Sequence, residues 1–206
     1  ALKRHATSKI TGADDLFRIA TMGFRGEALA SIGAVSRFSL ATTERGSTEG
    51  IKLTMAGGEA AVSWPWNGPA GTTIVVENLF YNMPVRAKFL KAPGTEFSHC
   101  LELVQAFALC HPGVAFTLRH NGREQFRVPA LERQDTDWLG EAALLGRAKA
   151  VLGKDAQSLQ YVRSSGRHGD FEALVSPPGL EKATGKHLYM FVNNRWVKDR
   201  VLRYGI

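Results

Sequence analysis

Between Arg37 and Val76 apolar and polar residues alternate in three runs: Phe38 to Thr42, Ile51 to Met55 and Thr72 to Val76. A period of two sends alternate side chains to opposite faces of a sheet, and the β-branched content suits a pleated surface, so these runs are predicted strands. Gly46, Gly57-Gly58 and Gly68-Pro69 punctuate them as turns. Trp64-Pro65-Trp66 reads as edge-strand packing ahead of a loop. Upstream the period is helical. Leu16, Phe17, Ile19 and Ala20 place an amphipathic helix over Asp14 to Thr21, capped by Asp14. After a turn at Met22 to Gly26, Glu27 to Val35 forms a small-residue, largely apolar helix.

Helices return after Val76. Pro84 opens a short helix over Val85 to Lys91, proline being tolerated at a first helical position. A longer helix is predicted from Thr95, its cap, with Phe97, Leu101, Val104 and Ala108 at helical spacing. Val114 to Leu118 and Gln125 to Val128 flank Asn121-Gly122, a strong two-residue hairpin signal. Pro129 and the polar run Glu132 to Asp135 read as a linker. Beyond it come a helix (Asp137 to Leu152), strands Leu159 to Arg163, Phe171 to Val175 and His187 to Asn193, and a helix from Asp199. The order predicts an α+β chain with mostly antiparallel strands, divided near residue 130.

Composition narrows the classes. With 44% hydrophobic and 22% charged residues the chain is globular rather than disordered. No apolar run approaches the roughly 18 to 20 residues of a membrane span, and none follows the first residues as a signal peptide requires. Cys100 and Cys110 are too few for a disulfide framework, and one helix would hold them roughly 15 Å apart, so they read as reduced, buried thiols. His5, His99, His111, His120, His168 and His187 lack metal-ligand spacing, so no metal is expected from Cys and His. Ser164 to Asp170 holds the residue types of a hydrolase triad, but triads assemble in space, and the stretch reads as a glycine-rich loop.

Gly23-Phe24-Arg25-Gly26-Glu27-Ala28-Leu29 carries the most chemistry. Two glycines bracket an arginine just before a helix, where outward N–H groups and the helix dipole favour an anion. Without Cβ atoms a phosphate can approach the backbone. The stretch is neither a Walker A loop nor Gly-x-Gly-x-x-Gly, and taken alone it also suits an ordinary turn. The net charge of +7 is unevenly placed. Lys182, Lys186, Arg195, Lys198, Arg200 and Arg203 face only Asp199 within their stretch, which suits a phosphate-facing patch or a solvated basic surface. Arg86, Lys88 and Lys91 read as the solvated side of their helix, with a DNA or partner contact as the alternative.

Three stretches in order sharpen the picture: Arg4-His5-Ala6-Thr7-Ser8-Lys9, then Gly23 to Ile32, then Gly71-Thr72-Thr73 with Leu79-Phe80-Tyr81-Asn82-Met83-Pro84-Val85-Arg86-Ala87-Lys88-Phe89-Leu90. Together they resemble the MutL-type DNA mismatch-repair proteins of the GHKL ATPase superfamily, which share the Bergerat nucleotide-binding fold. Phe191-Val192-Asn193-Asn194-Arg195 is similar to that family's Val-Asn-Gly-Arg segment, which lies in a second domain of the ribosomal-protein S5 domain 2-like type. The resemblance implies that residues 1–130 form the C-terminal part of the GHKL ATP-binding domain. Residues 131–206 would begin the transducer and DNA-binding domain.

It also implies site residues. Thr7, Ser8 and Lys9 would lie in a lid over ATP; Gly23, Phe24, Arg25, Gly26, Glu27, Ala28 and Leu29 would surround the triphosphate; Thr72 would sit on the strand under the adenine. Arg195, Lys198 and Arg200 would meet DNA without sequence readout. Met22 stands where the family has Leu, Met83 and Val85 where it has Thr and Ala, and Asn194 where it has Gly. Asn is the next most tolerant residue of a positive φ, so that turn should survive.

The family's general-base Glu, magnesium-binding Asn and adenine-reading Asp would precede Ala1, and its second-domain Lys would follow Ile206. With no initiator Met, the chain is therefore expected to be an internal segment that does not turn over ATP alone. The intact protein is expected to be an ATP- and Mg2+-dependent switch in DNA mismatch repair. It would dimerise, work in the bacterial cytosol at the nucleoid, and pass signals from a MutS-type mismatch sensor to a nicking endonuclease and helicase. The alternatives are a non-enzymatic DNA-binding scaffold of the same fold and another GHKL member such as a topoisomerase subunit, which the Leu79 to Leu90 stretch disfavours.

Overall fold

The computed structural model describes residues 2, 23, 26–132, 140–167, 169–180, 187–199 and 201. The predicted helix at 14–21 and the body of the polar run at 132–135 lie outside the described residues. So do Thr7, Ser8, Lys9, Phe24, Arg25 and Arg200. The chain forms two compact units, Ala1–Lys91 and Ala92–Ile206.

In the first unit helix α1 (Ala28–Gly33) leads into four strands, β1 (Arg37–Thr43), β2 (Gly50–Ala56), β3 (Val62–Trp66) and β4 (Gly71–Glu77). They form one antiparallel sheet in the order β3-β2-β1-β4. Register makes one face apolar: Phe38 stands opposite Met55 and Val76, and Leu40 opposite Leu53 and Ile74. Phe38 and Leu40 are buried. Helix α1 lies on this face, for a Cβ added at Gly33 would fall 2.6 Å from the Met55 sulfur.

The helix is shorter than the predicted 27–35 because Ser36 donates its hydroxyl hydrogen to the Ile32 carbonyl (2.7 Å), closing the last turn as β1 begins. Trp64-Pro65-Trp66 forms β3, an edge strand, where a proline costs no ladder hydrogen bond on its solvent side. Helix α2 is only Pro84–Ala87, not 85–91. Val85 and Phe89 are 70% and 75% exposed, so no apolar stripe is buried to extend it.

In the second unit α3 (Pro93–Cys110) starts before Thr95. Pro93 presets the first helical φ, Ala92 at φ −55 and ψ 144 takes the cap position, and Thr95 falls inside the first turn. Strands β5 (Phe116–His120) and β6 (Arg123–Val128) pair through Asn121 and Gly122 at φ 51 and 76, as a type I′ turn requires. Helix α4 (Gly140–Leu152) turns Arg147, Ala148 and Val151 inward. Val151 joins Ala108 and Val128 in the core, with Leu109, Phe116, Phe126 and Leu152 around them.

Arg147 is buried among carbonyls. It donates to Pro129 (2.7 Å), His111 (3.0 Å), Pro112 (2.8 Å) and Val114 (2.5 Å). Arg147 therefore links α4 to the ends of α3, β5 and β6. Hairpins β7 (Gln160–Gly166)/β8 (Gly169–Val175) and β9 (Met190–Val192)/β10 (Arg195–Val197) complete the unit. The predicted strand 187–193 is thus shorter and followed by a second strand. Asn193 and Asn194 at φ 47 and 60 make the turn between them. Cys100 is exposed, contrary to the expectation of two buried thiols, while burial pushes the Cys110 thiol up to about 11. Among the described residues no helix is long and apolar enough to cross a membrane.

Candidate nucleotide and nucleic-acid sites

Gly26 precedes α1 at φ +64, a conformation in which a Cβ is strained. Glu27 stands at the cap position, but its side chain makes no cap hydrogen bond. The first intrahelical bond is Ser31 N–H to the Glu27 carbonyl at 2.9 Å, so the N–H groups of Ala28, Leu29 and Ala30 have no acceptor within the helix. A helix end of this kind suits an anion, with a dipole contribution of about 0.3 to 1 kcal/mol per charge at an exposed site. Of the expected phosphate loop the structure thus describes Gly23, Gly26, Glu27, Ala28 and Leu29. Gly23 is exposed, and a Cβ there would meet nothing within 4 Å.

Thr72 is brought to the same sheet face that carries α1. It stands opposite Thr42, in line with Leu40 and Phe38 at alternate positions of β1. The two hydroxyls lie 2.8 Å apart, and Thr42 is also 3.2 Å from the Gly71 carbonyl. If Thr42 spends its one proton on that carbonyl, Thr72 donates to Thr42 and keeps its lone pairs outward.

The stretch after β4 clasps the other end of α1. Asn78 and Phe80 take φ 52 and 66, the second unusual for a bulky residue. This tight path lets the Phe80 N–H reach the Val35 carbonyl (2.6 Å) and the Asn82 side-chain amide donate to the Ala34 carbonyl (3.0 Å) and, at longer range, the Gly57 carbonyl (3.4 Å). The Arg37 guanidinium lies 5.4 Å over the Tyr81 ring. Leu79-Phe80-Tyr81-Asn82 is therefore a brace for the α1 end and for β1. Its motif was legible in the sequence, but this work for Phe80 and Asn82 was not. Arg86, Lys88 and Lys91 are all exposed.

In the second unit the Asn193-Asn194 turn carries the chain into β10, where Arg195 is half-buried and Lys198 follows the strand exposed. Lys198 is not a lone cation: it donates to Glu102 on α3 (2.8 Å) and lies 4.0 Å over the Trp196 ring. Trp196 in turn stacks on Tyr189 at 6.2 Å, and burial, then the Glu102 charge, raises the Tyr189 pKa. Nothing in the spacing of the sequence signalled Glu102. Asp199 accepts from the Val201 N–H at 2.8 Å, the geometry of a helix cap at the predicted start. Ser164 to Asp170 is the tip of the β7–β8 hairpin, with Ser165 opposite Asp170. Among the described residues no group of three or more His, Cys, Asp or Glu gathers to hold a metal ion.

No family model matches the chain. Among solved structures, the Aquifex aeolicus MutL ATPase domain complexed with ADP superposes with a TM-score of 0.69 at 28% identity, over 94% of this chain and 69% of that one. The fold is accordingly the α+β architecture of a GHKL-type ATPase domain. The chain is 42% identical along its whole length to the DNA mismatch repair protein MutL of Geobacter sulfurreducens and 38% identical to that of Neisseria meningitidis. It covers 32% and 30% of those proteins, about a third of the length of the curated relatives it matches. Along its whole length the chain is similar to MutL-type mismatch-repair sequences.

Proposed function

We propose that the protein to which this chain belongs is an ATP-dependent switch of DNA mismatch repair. The observation that carries this is the α1 N-terminus, where the Glu27 side chain makes no cap hydrogen bond and Gly26 stands at positive φ, on the sheet face that also presents Thr72. The ADP in the Aquifex aeolicus relative's name supports a nucleotide as the anion. In this reading Gly23 to Leu29 surround the triphosphate, Thr72 lies under the adenine, and Thr7, Ser8 and Lys9 close over the nucleotide. Backbone N–H groups orient the phosphates and exclude side chains from their path. Mg2+ would neutralise charge on those phosphates, but the described residues offer it no ligand cluster, and we assign it to none of them.

Residues 1–130 belong to the nucleotide-binding domain and residues 131–206 to the transducer domain of the ribosomal-protein S5 domain 2-like type. Arg195, Lys198 and Arg200 would hold DNA by its phosphates. ATP binding would drive dimerisation in the bacterial cytoplasm, coupling a MutS-type mismatch sensor to strand nicking and unwinding.

The test is nucleotide affinity of the intact protein with Gly26→Ala and Gly26→Val. Positive φ alone makes alanine cost about 1 kcal/mol of folding, whereas the blocked approach should reduce ATP affinity by about tenfold or more in the folded fraction. Variants whose folded fraction binds ATP as wild type does would make Gly26 a folding residue only and refute the assignment.

A further inference from the structure

Lys198, the exposed cation of the β10 patch, is already occupied. Its ammonium lies 2.8 Å from the Glu102 carboxylate of α3 and 4.0 Å over the Trp196 ring. Trp196 is backed by the Tyr189 stack. The aromatic pair fixes where the ammonium sits, and the carboxylate supplies the oxygen that a phosphate would. Both charged side chains keep access to solvent, at 63% and 37% exposure, so exchanging one anion for another there requires no burial of a new charge. Exposed pairs of this kind contribute little to stability, and a backbone phosphate flanked by its neighbours is a stronger local anion than a single carboxylate.

We propose that Glu102 is a built-in competitor for the nucleic-acid site: it occupies Lys198 in the free protein and is displaced by a backbone phosphate on binding. This rests on the reading of the Arg195–Lys198 patch as a DNA contact and adds its regulation. Two consequences follow for binding. Affinity is held below what the patch cations alone would give. The salt dependence is also flattened, since Lys198 arrives neutralised by a protein carboxylate rather than by counterions.

The experiment is a salt titration of duplex binding by the full-length protein, comparing wild type, Glu102→Gln, Lys198→Gln, the double variant and Arg195→Glu. Glu102→Gln should tighten binding by about two- to fivefold, the size an exposed pair sustains. It should also steepen the slope of log affinity against log salt by up to about 0.9, one phosphate equivalent. In the Lys198→Gln background the same substitution should change affinity by less than about twofold. If Arg195→Glu weakens binding while Glu102→Gln changes neither affinity nor slope, the patch holds DNA but Glu102 does not compete, and the proposal falls. An equal gain with and without Lys198 would show a general charge effect, which also overturns it. If Arg195→Glu leaves affinity and slope intact, the DNA reading of the patch itself fails. Should Glu102→Gln impair folding, Glu102→Asp, one methylene shorter on the same helix, is read in its place.

Discussion

Replacing Arg147 tests the account of the second unit most directly. Its guanidinium is 1% exposed, and the partners assigned to it are main-chain carbonyls: His111 and Pro112 after α3, Val114 before β5, and Pro129 after β6. One side chain thus ties α4 to the two chain segments that flank the β5–β6 hairpin. Placement beyond the carbonyl end of α3 adds a favourable dipole term. Burial lowers the Arg147 pKa, yet a guanidinium remains charged in a protein, and its Nε is buried with no hydrogen-bond partner.

Arg147→Met would keep much of the volume and relieve the cost of burying a charge. It would also withdraw the donor from the Pro129 and Val114 carbonyls, while the His111 and Pro112 carbonyls would keep only the Val114 and Leu131 N–H groups. Hydrogen bonds from a charged donor contribute about 1.5 to 3 kcal/mol each, desolvation opposes them, and removing one side of such a buried cluster costs about 3 to 5 kcal/mol net. For a chain of this size that is a fall in Tm of about 10 °C, at roughly 2 to 4 °C per kcal/mol. Arg147→Lys keeps the charge but not the planar fork, and its loss should be intermediate. Calorimetry or circular dichroism on the three proteins measures the shift, and limited proteolysis should show faster cleavage close to Pro129. A methionine variant melting within about 2 °C of wild type would refute the clasp.

Asn82→Ala removes the amide donated to the Ala34 and Gly57 carbonyls and should lower stability by about 1 to 2 kcal/mol, read as a lower urea midpoint at unchanged m. Asn82→Asp, which puts an acceptor against those carbonyls, should be worse. Asn194→Ala places a Cβ without the asparagine's tolerance at φ 60 and should cost about 1 kcal/mol, whereas Asn194→Gly should be neutral or stabilising in the same assay. Burial raises the Cys110 thiol from 9.0 to about 11, so at pH 8 its thiolate is about 100-fold scarcer than for an ordinary thiol. Iodoacetamide should therefore label exposed Cys100 first, and Cys110 only as the pH climbs towards its raised value or the chain unfolds. Equal labelling rates at pH 8 in the folded protein would contradict this.

What the sequence by itself determined was short-range. Asn121-Gly122 specifies its hairpin because a type I′ turn demands two positive φ values in succession, and these two residues adopt them. Alternation in 38–42, 51–55 and 72–76 specifies three strands because a period of two is legible without knowing the partner. The glycine at 26 and the motif from Leu79 could likewise be read as chain-order patterns, enough to suggest a nucleotide-binding family.

Tertiary structure decided the rest, because the deciding partners are distant in sequence. Thr95 looks like a cap, but Pro93 had already started the helix. The stretch 85–91 has helical residues, yet Val85 and Phe89 stay exposed in the fold. Strand β10 exists through its pairing with β9, and three residues of Arg-Trp-Val carry too little pattern to announce themselves. Arg147 resembles any solvated helix cation until carbonyls 18 to 36 residues away close around it. Lys198 is a free patch cation by composition and a partnered one in the fold, because α3 sets Glu102, 96 residues earlier in the chain, beside it.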